Sequence, residues 1–349
     1  LPKAQDILNT LPSRNVVSWN ALIAGYTEHG FAREALDCYE KMKLDSVEPD
    51  AITIICILRA CGTIRATQKG QEIHAEISRK GLLGEDPDIA NSLIDMYNKF
   101  QSLTKALQVF ERLPVQNVVS WTSLISGYVH HEHSEEALNC YKRLQHDGLS
   151  PDAVTFTFLL KACGSIGAAD KGEEIHADIV KEGLLKTDIL VANALIDMYA
   201  KCGVLTKAQE TFDELSCQDV FTWNAIISGY SEHGHCEKAL HCFLQMQNEG
   251  LLADASIFCS ILKACTTFGT IEKGKKIHAQ VLKEERLLEN DTLIGNALMD
   301  MYIKCCSMSK AQVIMEESAS AILLHMWNIF VKSRMAPIMK IRDQAFRHR

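Results

Sequence analysis

No stretch of this sequence reaches the ~18 consecutive apolar residues of a membrane-spanning helix, so no span is expected. Positive charge is not in excess either. Lys and Arg number 36 against 44 Asp and Glu, a formal net charge of −8, so bulk composition gives no sign of a polyanion-binding protein. There is no Cys-x-x-Cys pair, no glycine-rich phosphate loop and no activated-nucleophile signature. An initiator Met is also missing. The chain opens on Leu1 in mid-pattern, which reads as a fragment or processed piece, so a targeting signal, if there is one, is not in view. What remains is an ordinary globular balance, 47% hydrophobic and 23% charged over 349 residues.

What the chain does have is one phrase written three times. VVSWN at Val16–Asn20, VVSWT at Val118–Thr122 and VFTWN at Val220–Asn224 lie 102 residues apart, and only the second changes its last letter. Trp19, Trp121 and Trp223 keep that step, as do Gly25, Gly127 and Gly229. So do GQEIHA at Gly70, GEEIHA at Gly172 and GKKIHA at Gly274. DMY recurs at Asp95, Asp197 and Asp300, the last shifted by one residue. A fixed period outweighs the two or three domains that length alone would suggest. The first two units divide into pieces of 35, 36 and 31 residues and the third into 35, 37 and 32, giving repeats 16–50, 51–86, 87–117, 118–152, 153–188, 189–219, 220–254, 255–291 and 292–323. Half a repeat precedes them at 1–15, and a decayed or truncated repeat with a basic tail follows at 324–349.

Each repeat reads as two short amphipathic helices. In Ser18–Lys43, Trp19, Leu22, Ile23 and Tyr26 recur at helical spacing, Gly30 breaks the run, and Ala35, Leu36, Tyr39 and Met42 form a second face. Glu48-Pro49-Asp50 then stops the second helix, and Asp50 is placed to cap the next. Such a hairpin cannot bury its apolar face alone, whereas stacking on its neighbours builds a continuous core. The expected fold is all-α, a solenoid of helix-turn-helix repeats forming one domain over residues 1–323.

Thirteen cysteines and thirteen histidines raise the question of a metal or redox site. Cys38, Cys140 and Cys242 are one repeat position seen three times, Cys61, Cys163 and Cys265 a second, and His74, His176 and His278 a third. Residues locked to a repeat on a helical face are packing residues, and thiols without a pairing pattern suit a reducing compartment. His74-Ala75-Glu76 matches half of a zinc deaminase signature, but the Cys-x-x-Cys half is missing and the later copies read HAD and HAQ. The turn His233-Gly234-His235-Cys236 has counterparts at His131 and His29 that lack the Cys. No metal or cofactor is expected, and the chain does not read as an enzyme.

SWNALIxGY, the LKACG stretch at Leu160–Gly164, GxxIHA and NALIDMYAKCG at Asn193–Gly203 resemble the pentatricopeptide-repeat family. Within it the alternating repeat lengths are similar to the plant subclass built from P, L and S repeats, over residues 1–310. The resemblance implies a right-handed superhelix whose first helices line a concave groove, each repeat facing one base of single-stranded RNA. It further implies that the fifth and last residues of a repeat choose the base. An Asn amide both donates and accepts, while a Thr hydroxyl is shorter and matches differently.

Carried onto this chain, Asn20 with Asp50 favours U, Asn91 with Asn117 favours C or U, and Thr122 with Asp152 favours G. Asn193 with Asp219 and Asn224 with Asp254 favour U. The L-type repeats place Ile55, Thr157 and Cys259 fifth, and their readout is poorly coded; Thr157 pairs in order with Asp188. Asn296 lacks a clear partner because its repeat ends on Leu323. The implied site is about U-N-Y-G-N-U-U-N-N, read 5′ to 3′. Val17, Val119 and Phe221 stand second in the P-type repeats, where the family flanks the base and an apolar or aromatic surface suits stacking. Lys99, Lys201 and Lys304 stand thirteenth in the S-type repeats, where the family approaches backbone phosphates.

The family's plant members further imply work in a mitochondrion or chloroplast, selecting a transcript site for C-to-U editing with the cytidine deaminase supplied elsewhere. An RNA processing or stabilisation factor, or a protein-interaction scaffold of tetratricopeptide type, are the alternatives. The ordered fifth-and-last pairing counts against the scaffold.

Overall fold

The computed structural model describes residues 2–11, 13–84, 86–267, 271–283 and 292–304. The end of the 292–323 repeat with Leu323, and the tail at 324–349, lie outside the described residues. The chain divides into two compact units, Leu1–Leu184 and Leu185–Arg349.

In the first unit α1 (Pro2–Thr10) is followed by five hairpins. These are α2 (Val16–Glu28) with α3 (Ala32–Leu44), α4 (Ala51–Ile64) with α5 (Thr67–Lys80), α6 (Pro87–Lys99) with α7 (Leu103–Glu111), α8 (Val118–His130) with α9 (Ser134–His146), and α10 (Ala153–Ile166) with α11 (Ala169–Lys181). After a single turn, α12 (Leu184–Thr187), the second unit has α13 (Ile189–Lys201) with α14 (Leu205–Asp213) and α15 (Val220–Glu232) with α16 (Cys236–Asn248). It continues with α17 (Ala255–Thr267) and α18 (Ile271–Lys283), then α19 (Thr292–Lys304). The described residues contain no strand, and no described helix is long and apolar enough to cross a membrane.

The two helices of a hairpin start differently. A side chain caps each first helix from α2 to α15: Asn15, Asp50, Asp86, Asn117, Asp152, Asp188 and Asp219 each accept a first-turn backbone N–H. In α2, α4, α8 and α15 the third helical residue, Ser18, Thr53, Ser120 or Thr222, returns a hydrogen bond and completes a capping box. Second helices such as α3, α5, α7 and α9 begin without a side-chain cap. Orphan N–H groups at a helix start need a partner, so the short polar residue ending one repeat also starts the next.

Within each unit the first helices pack on one another in succession, α2 on α4 on α6 on α8 on α10, and α13 on α15 on α17 on α19, with the second helices behind them. Trp19, Trp121 and Trp223 are buried at equivalent places, and Trp121 and Trp223 meet Phe110 and Phe212 edge-on at 4.4 and 4.6 Å. Leu22 and Ile23, Leu124 and Ile125, and Ile226 and Ile227 complete the apolar face, each worth roughly 1.5–3 kcal/mol on burial. Glycine is required where first helices come closest. A Cβ on Gly127 would lie 2.2 Å from the Asn98 side chain, and one on Gly229 2.5 Å from Ala200.

The repeat-locked cysteines Cys38, Cys61, Cys140, Cys163, Cys242 and Cys265 are all buried and unbonded to one another. Burial pushes the Cys61 and Cys140 thiols up to about 12. The turn histidines serve packing as well: Nε2 of His131 donates to the Asn98 carbonyl at 2.6 Å, and Nε2 of His233 to that of Ala200 at 2.8 Å.

Candidate nucleic-acid interface

A residue near the start of a first helix and the residue capping the following first helix are some thirty positions apart in sequence, and stacking brings them together. Asn20 Nδ2 donates to both oxygens of Asp50, at 2.8 and 2.9 Å, while the Thr53 hydroxyl donates to Asn20 Oδ1. An ionised carboxylate only accepts, so Asp50 dictates which end of the amide turns towards it. Burial raises the Asp50 pKa, but the Thr53 amide, Asn20 and the Thr53 hydroxyl outweigh it and hold the carboxyl below its ordinary value. In the second unit the arrangement recurs: Asn193 Nδ2 reaches Asp219 Oδ1 at 3.3 Å and the Thr222 hydroxyl donates to Asn193 Oδ1 at 2.6 Å. The Asp219 carboxyl is lowered in the same way.

Thr122 makes a different junction. Its hydroxyl donates to the Val118 carbonyl at 2.7 Å and accepts from the Thr155 hydroxyl, whose proton is shared with the Asp152 carboxylate at 2.6 Å. The fifth and last residues are joined here only through a third side chain. Sequence reading missed that third member: Thr53, Thr155 and Thr222, each third in the following repeat and fully buried.

Where the third residue differs, the junction opens. Ile257 is the third residue of the repeat after Asp254, whose carboxylate accepts the Ile257 amide at 2.9 Å; Asn224 turns instead to Ser256 at 3.2 Å. Asn117 is engaged with its own capping partner Ser120, and the Asn91 amide oxygen is buried with no described partner. The Asn296 amide oxygen is likewise buried and unpartnered among described residues. Thr157 bonds back to the Val154 carbonyl at 2.7 Å, and Asp188 caps α13 through the amides of Leu190 and Val191.

The second position stands one helical turn before the fifth and on the same side of its helix. Val17, Val119 and Phe221 are 69%, 54% and 68% exposed. Ile52 and Val154 in the first unit, and Leu190 and Leu293 in the second, are equally open at the same position. The signal for these four was present in the repeat register, and the P-type repeats alone concealed it. Each unit thus presents exposed apolar side chains along its second positions, interrupted by Asp88 in the first and Ser256 in the second, beside fifth residues that are polar except at Ile55 and Cys259.

The thirteenth-position lysines end their helices on ion pairs. Lys99, Lys201 and Lys304 bond Asp95, Asp197 and Asp300, one turn earlier, at 2.7, 2.7 and 2.8 Å. All three remain exposed, and such surface pairs are worth only a few tenths of a kcal/mol. Among the described residues no group of three or more His, Cys, Asp or Glu is placed to hold a metal ion.

Comparison with known proteins bears on what these rows are. A model of the PPR repeat family matches residues 14–63, 116–165 and 218–267, and a PPR repeat model matches residues 89–118 and 191–220, together more than half of the chain. A chloroplastic pentatricopeptide repeat-containing protein of Arabidopsis thaliana is 35% identical over 88% of this chain and 35% of its own length. A mitochondrial one from the same plant is 33% identical over 87% of this chain and 29% of its own. The chain therefore spans about a third of the length of these relatives. Among solved structures, the pentatricopeptide repeat protein PPR10 in complex with an 18-nucleotide psaJ RNA element superposes with a TM-score of 0.74. That match covers 90% of this chain and 46% of PPR10 at 18% identity, which shows a shared α-solenoid fold.

Proposed function

Because the chain belongs to the pentatricopeptide-repeat family, we propose that its first-helix layer binds single-stranded RNA and reads one base per repeat through the fifth and last residues. The observation that carries this reading is the junction of Asn20 with Asp50 and of Asn193 with Asp219: residues far apart in sequence share one hydrogen-bonded unit beside an exposed apolar side chain. The apolar row offers π-faces a surface to stack on, and the polar junction offers the base edge a donor and acceptor held in one orientation. Thr122, joined to Asp152 only through Thr155, presents a different edge and accounts for a different base. The site so read is about U-N-Y-G-N-U-U-N-N.

At finer grain the protein is a plant P, L and S repeat protein that marks an organellar transcript position for C-to-U editing, with a cytidine deaminase supplied elsewhere. The 35-, 36- and 31-residue alternation supports the subclass, and the chloroplastic and mitochondrial names of the relatives support the compartment. Lys99, Lys201 and Lys304 act on phosphates by exchanging their Asp partners. Selection from a random single-stranded RNA pool tests the whole: enriched sequences should carry G at the fourth base and U at the first, sixth and seventh. A pool that enriches no such pattern overturns the reading.

A further inference from the structure

The second helices carry a site that base reading does not use. Between α5 and α7 lies a cavity of about 250 Å³, walled by Gln71 and His74 of α5, Tyr97 of α6, and Lys105, Gln108 and Arg112 on or just after α7. It is distinct from the RNA row, because Tyr97 follows Asn91 by six residues, about 240° around α6 at 100° per residue.

Every charged side chain lining the cavity is a cation, in a protein of net charge −8. Lys105 lies 5.7 Å from the centre of the Tyr97 ring and, like Arg112, pairs with no described carboxylate. The nearby acids of α5 are already committed, Glu76 to Lys43 and Lys80, both at 3.3 Å, and Glu72 to Lys69 at 3.6 Å. His74 forms the floor. Its Nδ1 is 2.7 Å from the Tyr97 hydroxyl, while its Nε2 is buried without a described partner. Burial first, and then the charges of Arg112 and Lys105, lower the His74 pKa, so both cations lie within electrostatic range of the ring. Nδ1 and the Tyr97 hydroxyl share one hydrogen bond, which fixes the ring beside Lys105 and Arg112 and leaves Nε2 as its polar atom without a described partner. A buried polar atom without a partner is unfavourable.

The repeat supplies an internal control. One period later His74, Tyr97 and Lys105 are kept as His176, Tyr199 and Lys207, the part that belongs to packing. Gln71, Gln108 and Arg112 become Glu173, Glu210 and Glu214. The same frame therefore carries neutral and cationic groups in one copy and three carboxylates in the next. Packing demands neither.

We propose that this cavity binds a single phosphate group. A guanidinium fork, an ammonium and two side-chain amides line it from several directions, which suits a tetrahedral anion with four oxygens better than a planar carboxylate with two. The group comes either as free phosphate or small phosphate ester, or as a phosphate of bound RNA.

The test titrates inorganic phosphate into the purified chain at constant ionic strength set with chloride, following the His74 ring signals by NMR and the melting temperature. Saturable movement of the His74 signals and a rising melting temperature are expected. Arg112→Glu, which installs the residue of the counterpart repeat on an exposed position, should weaken phosphate binding at least tenfold while leaving the phosphate-free melting temperature unchanged. Gln108→Glu is the second variant and should weaken it in the same direction. Unmoved His74 signals, or a response equal in wild type and both variants, overturns the proposal. Adding single-stranded RNA to the phosphate-saturated protein separates the sources. Displacement of phosphate with a shift at His74 assigns the site to an RNA phosphate; undisturbed phosphate assigns it to the free ion or a small ester.

Discussion

The amide of Asn20 and the carboxylate of Asp50 hydrogen-bond at 2.8 Å, although thirty residues and a complete helical hairpin separate them. Asp50 simultaneously accepts the Thr53 amide and so starts α4. One carboxylate thus orients the proposed base-reading amide of its own repeat and caps the first helix of the next.

The altered letter of the second P-type repeat should be a specificity switch. Thr122→Asn restores the residue of Asn20 and Asn224 opposite a last-position Asp, and the buried Thr155 is already placed to donate to its oxygen as Thr53 does to Asn20. Preference at the fourth base should move from G towards U by about 1–3 kcal/mol, roughly 5- to 150-fold on the scale of base-edge contacts in duplexes. Two RNAs differing only at that base, competed on both proteins at one salt concentration, decide it. Identical ranking by the two proteins would remove the fifth residue from the code.

The lysine row makes a charge prediction with a matched opposite. Lys99, Lys201 and Lys304 changed together to Ala should weaken all RNAs alike and reduce the salt slope by roughly 2, at about 0.7 per phosphate. Changing their partners Asp95, Asp197 and Asp300 to Asn frees the ammonium groups. Affinity should then rise and the slope steepen. If both triple variants give the wild-type slope, these lysines do not meet phosphate.

Acid should loosen the junctions before neutral pH does anything to them. Asp50 and Asp219 have folded pKa values depressed below the unfolded aspartate value of ~3.9, so each stabilises the ionised folded state. That contribution is complete above the unfolded value and is lost as pH falls through the lowered folded one. Asp50→Asn with Asp219→Asn should therefore melt below wild type at pH 7, and the gap should close as pH drops from about 4 downwards. Melting curves across pH 2.5–7 would show it; a gap independent of pH would remove the ionised caps from the account.

Gly127→Ala should destabilise the fold although Ala favours helix over Gly by about 1 kcal/mol. The new Cβ would lie 2.2 Å from the Asn98 side chain, whose Nδ2 holds the Ser123 carbonyl at 2.8 Å, so the helices must part or that bond must break. Overpacking of this kind costs about 1–3 kcal/mol. Urea denaturation of the single variant measures the balance, and a more stable protein would show that the helices yield freely.

The alternation of helices was legible in the sequence because its causes are local. Apolar spacing of three and four marks the helices, and a short polar residue ahead of Val16, Ala51 or Val118 supplies their caps. The third-position threonines were not legible as part of the site, since Thr53 or Thr222 acquires its meaning only when one repeat stacks on the previous one. The Asp–Lys pairs stood openly at a four-residue spacing, yet a lysine considered singly looks like a free cation. Nor does the periodicity falter near residue 184, so the repeat pattern carries no trace of the division into two units. The cavity between α5 and α7 escaped for a related reason: its cations lie on or just after α7 and its histidine on α5, in different repeats.

A side chain that must close the next helix is not free to drift. Only a handful of residues cap a helix well, and losing one costs about 1 kcal/mol. The vocabulary at Asp50, Asn117, Asp152, Asp188 and Asp219 is therefore short by construction, whatever those residues recognise. New meanings enter more easily at the fifth position, where the next helix does not depend on the change. A lineage of such proteins would then rewrite its targets with one hand tied, varying one letter of each pair and conserving the other for the sake of the scaffold.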